Sequence, residues 1–157
     1  MAISIAVEDP DQPGIRAMLE AGDAYYASLY PAESNHVLDV SSLKRPGVSF
    51  YVARTEGRLL GFGAIVDRGD GWAEIKRMYV VPDARGRRIG RRLLEALEAH
   101  AGRLGAERVR LETGVRQPEA LGLYRSAGYR EVPPFGNYRP DPLSVFMEKL
   151  LPGSPSA

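Results

Sequence analysis

The sequence predicts an α/β domain, with a mixed central sheet and helices on both faces. Three observations carry this reading. A period-two hydrophobic pattern dominates from Val48 to Val81, with short turn signals between the runs, so hairpins come first. From Ile89 onward helical and strand patterns alternate, which requires strand–helix–strand crossovers. Between the halves, Ala73 to Leu94 reads as a strand, an arginine-and-glycine loop, and the opening of the longest amphipathic helix.

In chain order, Ala2 to Val7 alternates around Ile3, Ile5 and Val7 and predicts a first strand. Asp9, Pro10, Asp11 and Pro13 punctuate a turn and suit a helix start. Ile15, Met18, Leu19, Gly22, Tyr26 and Leu29 then fall at helical spacing and define one buried stripe. A polar loop, Tyr30 to His36, precedes a short helix over Leu38 to Lys44, stopped by Pro46 and Gly47. Val48 to Arg54 and Arg58 to Asp67 are strands joined at Thr55-Glu56-Gly57. In the second, Leu60, Phe62, Ala64 and Val66 share a face, while Gly61 and Gly63 mark a bulge or the close approach of another backbone. Gly69-Asp70-Gly71 closes a second hairpin into the strand Trp72 to Val81, which Pro82-Asp83 ends. In the long helix Ile89, Leu93, Leu94, Leu97, Ala101 and Leu104 form the buried face, and Gly105 suits the residue after its end. A strand over Val109 to Val115, a short helix over Pro118 to Ala127, a strand over Tyr129 to Val132 and a final strand over Leu143 to Leu150 complete the order.

The chain has 157 residues, enough for one full hydrophobic core. A formal net charge of +1 means that its arginines are concentrated locally, favouring a discrete anionic ligand over a nucleic-acid track. With no cysteine there is no disulfide, thiolate metal site or cysteine nucleophile, as suits a reducing cytoplasm. His36 and His100 lack metal-ligand spacing. The N-terminal stretch is acidic and broken by proline, unlike a signal peptide, and no apolar run approaches the ~20 residues needed to span a bilayer.

Five of the eight residues from Arg85 to Arg92 are arginine. A glycine-bearing loop before a helix N-terminus offers unpaired N–H groups and the positive end of the helix dipole together. A pyrophosphate fits such a place.

The run Arg85-Gly86-Arg87-Arg88-Ile89-Gly90, after a strand ending in Val80-Val81-Pro82, resembles motif A of the GNAT superfamily of acetyl-CoA-dependent N-acetyltransferases. Gln117-Pro118-Glu119-Ala120-Leu121-Gly122-Leu123-Tyr124 with Ser126-Ala127-Gly128-Tyr129 is similar to motif B. The resemblance covers almost the whole chain and implies a single domain over residues 1–151, with 152–157 as a flexible tail. Two positions depart from the pattern. Arg88 stands where motif A usually has glycine, which requires an acceptable backbone there; Gln117 stands where motif B usually has asparagine.

The resemblance further implies acetyl-CoA as donor, no metal, and direct transfer to an amine. Arg85, Gly86, Arg87, Arg88, Ile89, Gly90 and Arg91 would bind the pyrophosphate and 3′-phosphate. Met78, Tyr79 and Val80 would hold pantetheine along the strand edge, the N–H groups of Met78 and Val80 would meet the oxyanion, and Gln117 would lie beside the cofactor. An alkylammonium with a pKa of about 10.4 is almost wholly protonated at neutral pH, so the reaction needs a base. Glu74, on the strand leading into motif A, has two readings. It is that base, directly or through water, or it is the solvent-facing partner of Lys76. Tyr124 matches the tyrosine that protonates or hydrogen-bonds the departing thiolate. A phenol near 10 facing a thiol near 8.5 makes full transfer uphill by ~2 kcal/mol.

For the acceptor the fold implies a pocket beside the first helices, with Tyr26, Tyr30, Glu33, Asn35 and His36, joined by Phe135 and Tyr138 from the late loop. This mixture suits a small primary amine such as an amino acid or amine metabolite. The expected partners are that small molecule and no nucleic acid or membrane, with the chain a monomer or homodimer in the cytoplasm. Two other readings stay open, acetylation of a protein N-terminus or lysine and a non-catalytic CoA-binding module.

Overall fold

A computed structural model describes residues 2–34 and 39–153. The elements follow the expected order: β1 (Ser4–Val7), α1 (Pro13–Leu29), α2 (Val40–Leu43), β2 (Val48–Thr55), β3 (Arg58–Gly69), β4 (Trp72–Val80), α3 (Ile89–Arg103), β5 (Arg108–Gly114), α4 (Pro118–Ser126), β6 (Arg130–Glu131) and β7 (Ser144–Leu150). The strands form one sheet in the order β1-β2-β3-β4-β5-β7-β6. Its pairings are antiparallel except for β4 with β5, the pair spanned by the α3 crossover.

The two faces bury different clusters. Under α3 and α4, Leu93, Leu94, Leu97 and Ala101 pack on Ala53, Ile65, Ile75, Leu111 and Met147. On the other face Ile15 and Leu19 of α1, with Leu43 of α2, cover Phe50, Val52, Phe62 and Ala64. Each such fully buried aliphatic side chain contributes roughly 1.5–3 kcal/mol. This alternation leaves Glu74 and Lys76 on the α1 side of β4, because Ile75 between them packs under α3.

Two expectations shift. Leu60 packs in the α3 cluster instead of sharing the face of Phe62, since a register irregularity between Ala53 and Arg54 leaves it without a direct partner. Leu104 is 44% exposed, because it caps α3 as the chain turns away at Gly105, whose φ is +85°. Gly61 and Gly63 do mark a close approach. A Cβ on Gly61 would lie 2.6 Å from the Tyr79 carbonyl oxygen, and one on Gly63 would lie 2.7 Å from the Met78 sulfur.

His100 ties α3 to β2. Its Nδ1 lies 2.7 Å from the Tyr51 hydroxyl and its Nε2 3.1 Å from Ser49 Oγ, while Arg103 donates to the same tyrosine at 3.1 Å. Burial, aided by the Arg103 charge, lowers the His100 pKa.

Gly61→Ala should therefore destabilise the fold by about 1–3 kcal/mol, seen as a lower urea midpoint at unchanged slope. Because folding disfavours the charged imidazole, the unfolded chain takes up the proton first as pH falls. The His100 contribution is thus present above about pH 6.5 and lost on acidification through the lower folded pKa. Chemical denaturation between pH 5 and 8 should show this decline, and His100→Gln should flatten it.

Candidate active site

The parallel strands β4 and β5 pair only from Trp72 with Arg108 to Ile75 with Leu111. Past that point they part, and a cavity of about 590 Å³ opens along the exposed edge of β4. The parting coincides with a bulge. Lys76 pairs with Ala64 and Tyr79 with Phe62, so Arg77 and Met78 together face Gly63. Arg77 adopts φ +61°, a left-handed conformation that disfavours an L side chain. Its buried guanidinium ties the bulge to α1, donating to the Asp23 carboxylate and, at 3.3 Å, to the Leu19 carbonyl. Among the described residues, Arg77 Nε is the buried side-chain polar atom that lacks a hydrogen-bond partner.

Met78, Tyr79 and Val80 all line the cavity. Met78 has no register partner, whereas Val80 lies opposite Gly61 of β3. The chain then makes a 3-10 turn over Pro82–Ala84 and enters the arginine loop. Gly86 has φ +86°, and Arg88, the residue before the first turn of α3, has φ +60°. Arg88 thus adopts the backbone that a glycine would supply, at a cost of roughly 1–3 kcal/mol. Arg85, Gly86, Arg88, Ile89, Gly90 and Arg91 border the cavity. Arg87 does not; it joins Arg88, Arg91, Arg92 and Glu95 around a second, outer recess. Gly90 lets α4 come close, since a Cβ there would meet Leu123 at 3.1 Å. With the first N–H groups of α3 unpaired inside the helix, this rim suits a phosphate-bearing ligand.

Tyr124, Tyr26 and Gln117 line the cavity as well. Burial, with a smaller push from Tyr26, raises the Tyr124 pKa well above that of a free phenol. Burial likewise raises Tyr26 to about 12, assisted by the Glu112 charge. Both phenols therefore stay protonated across the physiological range. Tyr30 lies behind the wall. Its hydroxyl accepts from the Arg116 N–H at 3.0 Å and donates to Gln117 Oε1 at 3.2 Å. Gly114 makes this possible, because a Cβ there would overlap that hydroxyl at 1.9 Å.

Glu74 and Tyr138 are outside the lining and sit behind Lys76, which lines the cavity. Lys76 Nζ donates to the Tyr138 hydroxyl at 2.6 Å, and that hydroxyl donates to Glu74 Oε2 at 2.7 Å. Arg68 donates twice to Glu74 Oε1, at 3.0 and 2.8 Å. Glu74 is 1% exposed, so it is a buried network member and not the solvent-facing partner of Lys76. Phe135 and Phe146 fix the Tyr138 ring from centroid distances of 5.3 and 5.4 Å. Asn35 and His36 fall outside the described residues, as does the side chain of Glu33.

Lys76, Thr113 and Glu112 are cavity residues that motif reasoning passed over. Glu112 accepts from Ser144 Oγ at 2.8 Å. The available signal was strand alternation: Leu111 faces α3, so Glu112 must face the side where Lys76 lies.

Residues 15–129 match the Acetyltransferase (GNAT) family. An IAA acetyltransferase from Azospirillum brasilense is 49% identical over 150 residues, spanning 95% of this chain and 98% of that protein. A Klebsiella pneumoniae structure described as an acyl-CoA N-acyltransferase is 39% identical with a TM-score of 0.84, covering 95% of this chain and 97% of its own. The PaiA N-acetyltransferase of Thermoplasma acidophilum, solved with coenzyme A, shares the fold at a TM-score of 0.70 and 20% identity, over 96% of this chain and 99% of that one. Among the described residues no cluster of His, Asp and Glu is placed to hold a metal. The cavity's phosphate-suited rim and these likenesses agree: the chain belongs to the GNAT family and is an N-acetyltransferase that takes its acetyl group from acetyl-CoA.

Proposed function

We propose that the acceptor is the primary amine of a small molecule, an amino acid or amine metabolite, acetylated by direct transfer. The observation that carries this reading is that a carboxylate, Glu112, and the motif B phenol, Tyr124, line the same cavity as the motif A loop. This reading gives Glu112 the role of base, which was one of the two readings of Glu74. The Glu74 carboxylate is occupied by Arg68 and Tyr138 behind the lining, whereas Glu112 borders the space that an amine would enter.

In this scheme Glu112 accepts a proton from the incoming ammonium and frees the nitrogen lone pair. The nitrogen attacks the thioester carbonyl carbon, and the Met78 N–H, outside the β3 ladder, donates to the developing oxyanion. A C–N bond forms and the C–S bond breaks. The sulfur leaves with the C–S electron pair as a thiolate under the Tyr124 hydroxyl, and the nitrogen gives its second proton to that thiolate, which leaves a neutral amide and the free thiol. The raised pKa makes Tyr124 a hydrogen-bond donor that steadies the thiolate, with full proton transfer more uphill than for a free phenol. Arg85, Gly86, Arg88, Ile89, Gly90 and Arg91 hold the pyrophosphate, Arg87 reaches the 3′-phosphate from the outer recess, and Met78 to Val80 carry pantetheine. Gln117, oriented by Tyr30, lies against the same arm.

Coenzyme A at one hundred times its Kd should raise stability by about 2.7 kcal/mol, read as a higher Tm. An unmoved Tm at saturation would contradict the assignment of the rim. Thiol release from acetyl-CoA, screened over amino acids, polyamines, aminoglycosides and peptides, tests the acceptor class, and turnover confined to peptides would overturn it. With an active amine, Glu112→Gln should lower kcat by about 10²–10⁴-fold, and an unchanged kcat would remove Glu112 from the chemistry. Tyr124→Phe should lower kcat with little change in the acetyl-CoA KM, whereas an unchanged rate would remove Tyr124 from the chemistry.

A further inference from the structure

The acceptor end of the cavity presents two side chains of opposite charge. Ile75 pairs with Leu111 across the parallel strands, so the next residue on each, Lys76 and Glu112, projects to the same face, where the strands begin to part. Both line the cavity. Each is steadied from behind by a hydroxyl: Lys76 Nζ by Tyr138 at 2.6 Å, and Glu112 Oε2 by Ser144 Oγ at 2.8 Å. The Lys76 support continues through Tyr138 to Glu74 and on to Arg68, with Glu74 Oε2 also 3.8 Å from Lys76 Nζ. The Lys76 side chain is only 9% exposed, so its position is set by the fold.

We propose that this pair is a receptor for a zwitterion, so that the acceptor is a small amine carrying its own anionic group, as in an amino acid. This rests on the N-acetyltransferase reading above and narrows its acceptor class. The ammonium end faces Glu112, and the carboxylate or other anion faces Lys76. A simple amine would meet Glu112 but bring no anion to the Lys76 end of the pair, and a polyamine would bring further positive charge to it. A zwitterion meets both prongs with complementary charge, and the Tyr138–Glu74–Arg68 chain keeps the Lys76 prong in place. Arg68, Tyr138 and Glu74 are accordingly positioning residues, acting on the acceptor through Lys76.

The test compares matched acceptors: amino acids, their carboxamides, and the amines that remain when the carboxylate is replaced by hydrogen. Wild-type kcat/KM should favour the anionic member of each set by at least tenfold. Lys76→Met should erase that preference by raising the KM of the acid, while the acetyl-CoA KM stays as it was. Lys76→Arg should keep it. A wild type that prefers the members without the anionic group, or a Lys76→Met variant that affects all members equally, would overturn the proposal while leaving the acetyltransferase reading intact. Should Lys76→Met not fold, Tyr138→Phe replaces it, with a partial loss of preference expected and an unaltered preference counting against the relay. If no amine is turned over, the acetyltransferase reading fails, and the receptor is tested by calorimetry on the CoA-loaded protein. Binding of amino acids over their decarboxylated amines supports it, and equal binding or none overturns it.

Discussion

Two parallel strands share a ladder only while their spacing stays near 4.8 Å, and β4 and β5 lose that spacing after Ile75 and Leu111. The rest of the site depends on this parting. It leaves backbone groups of β4 without strand partners, opens the cavity between the strand ends, and sets Lys76 and Glu112 in its lining. The parting is held from the other edge of β4. Gly61 admits the Tyr79 carbonyl where a Cβ would clash with it, Gly63 leaves room for the Met78 side chain, and Arg77 absorbs the extra residue in a left-handed conformation. The bond from Arg77 to Asp23 then fastens that bulge to α1. A strained arginine is tolerated because the surrounding structure over-determines it.

The sheet divides its labour by face. Beneath α3 and α4 the packing is apolar and continuous, and it fixes where the helix N-terminus meets the loop. On the α1 face the apolar cluster stops short of β5, and charged and phenolic groups take over. There Glu74 joins Arg68, Tyr138 and Lys76, while Glu148 gathers Arg108, Arg110 and Arg130. Burying such charges is tolerable only when they are paired, and removing one partner usually costs more than the pair contributes. The network around Glu74 is therefore rigid, which is the property that a positioning device requires and a solvent-exchanging base does not.

Much of this was legible in the residues. Element order, the hairpins, the stripe of α3 and the arginine loop follow from periodicity and turn chemistry, which are local. The motifs placed Tyr124 on α4 and the arginine loop directly before α3, where the structure has them. The acceptor end was not legible. Glu74 stood out because it precedes motif A, yet two hydroxyl and guanidinium partners from β3 and the late loop enclose it. Glu112 drew no notice within an ordinary strand, although its neighbour Leu111 already fixed the direction it faces. Leu60 and Leu104 left their expected positions for equally non-local reasons, a register slip against β2 and the turn at Gly105.

What the chain alone determines is its fold class and its donor, since strand alternation, helical stripes and the glycine-arginine loop are each written in consecutive residues. What tertiary structure decides is which charged side chains line the cavity. Lys76 and Glu112 are far apart in sequence, and they become neighbours only when β4 and β5 pair in one particular register. Tyr138 and Ser144, which steady them, arrive from the last part of the chain. No local pattern can specify a distance between segments that only the folded sheet brings together.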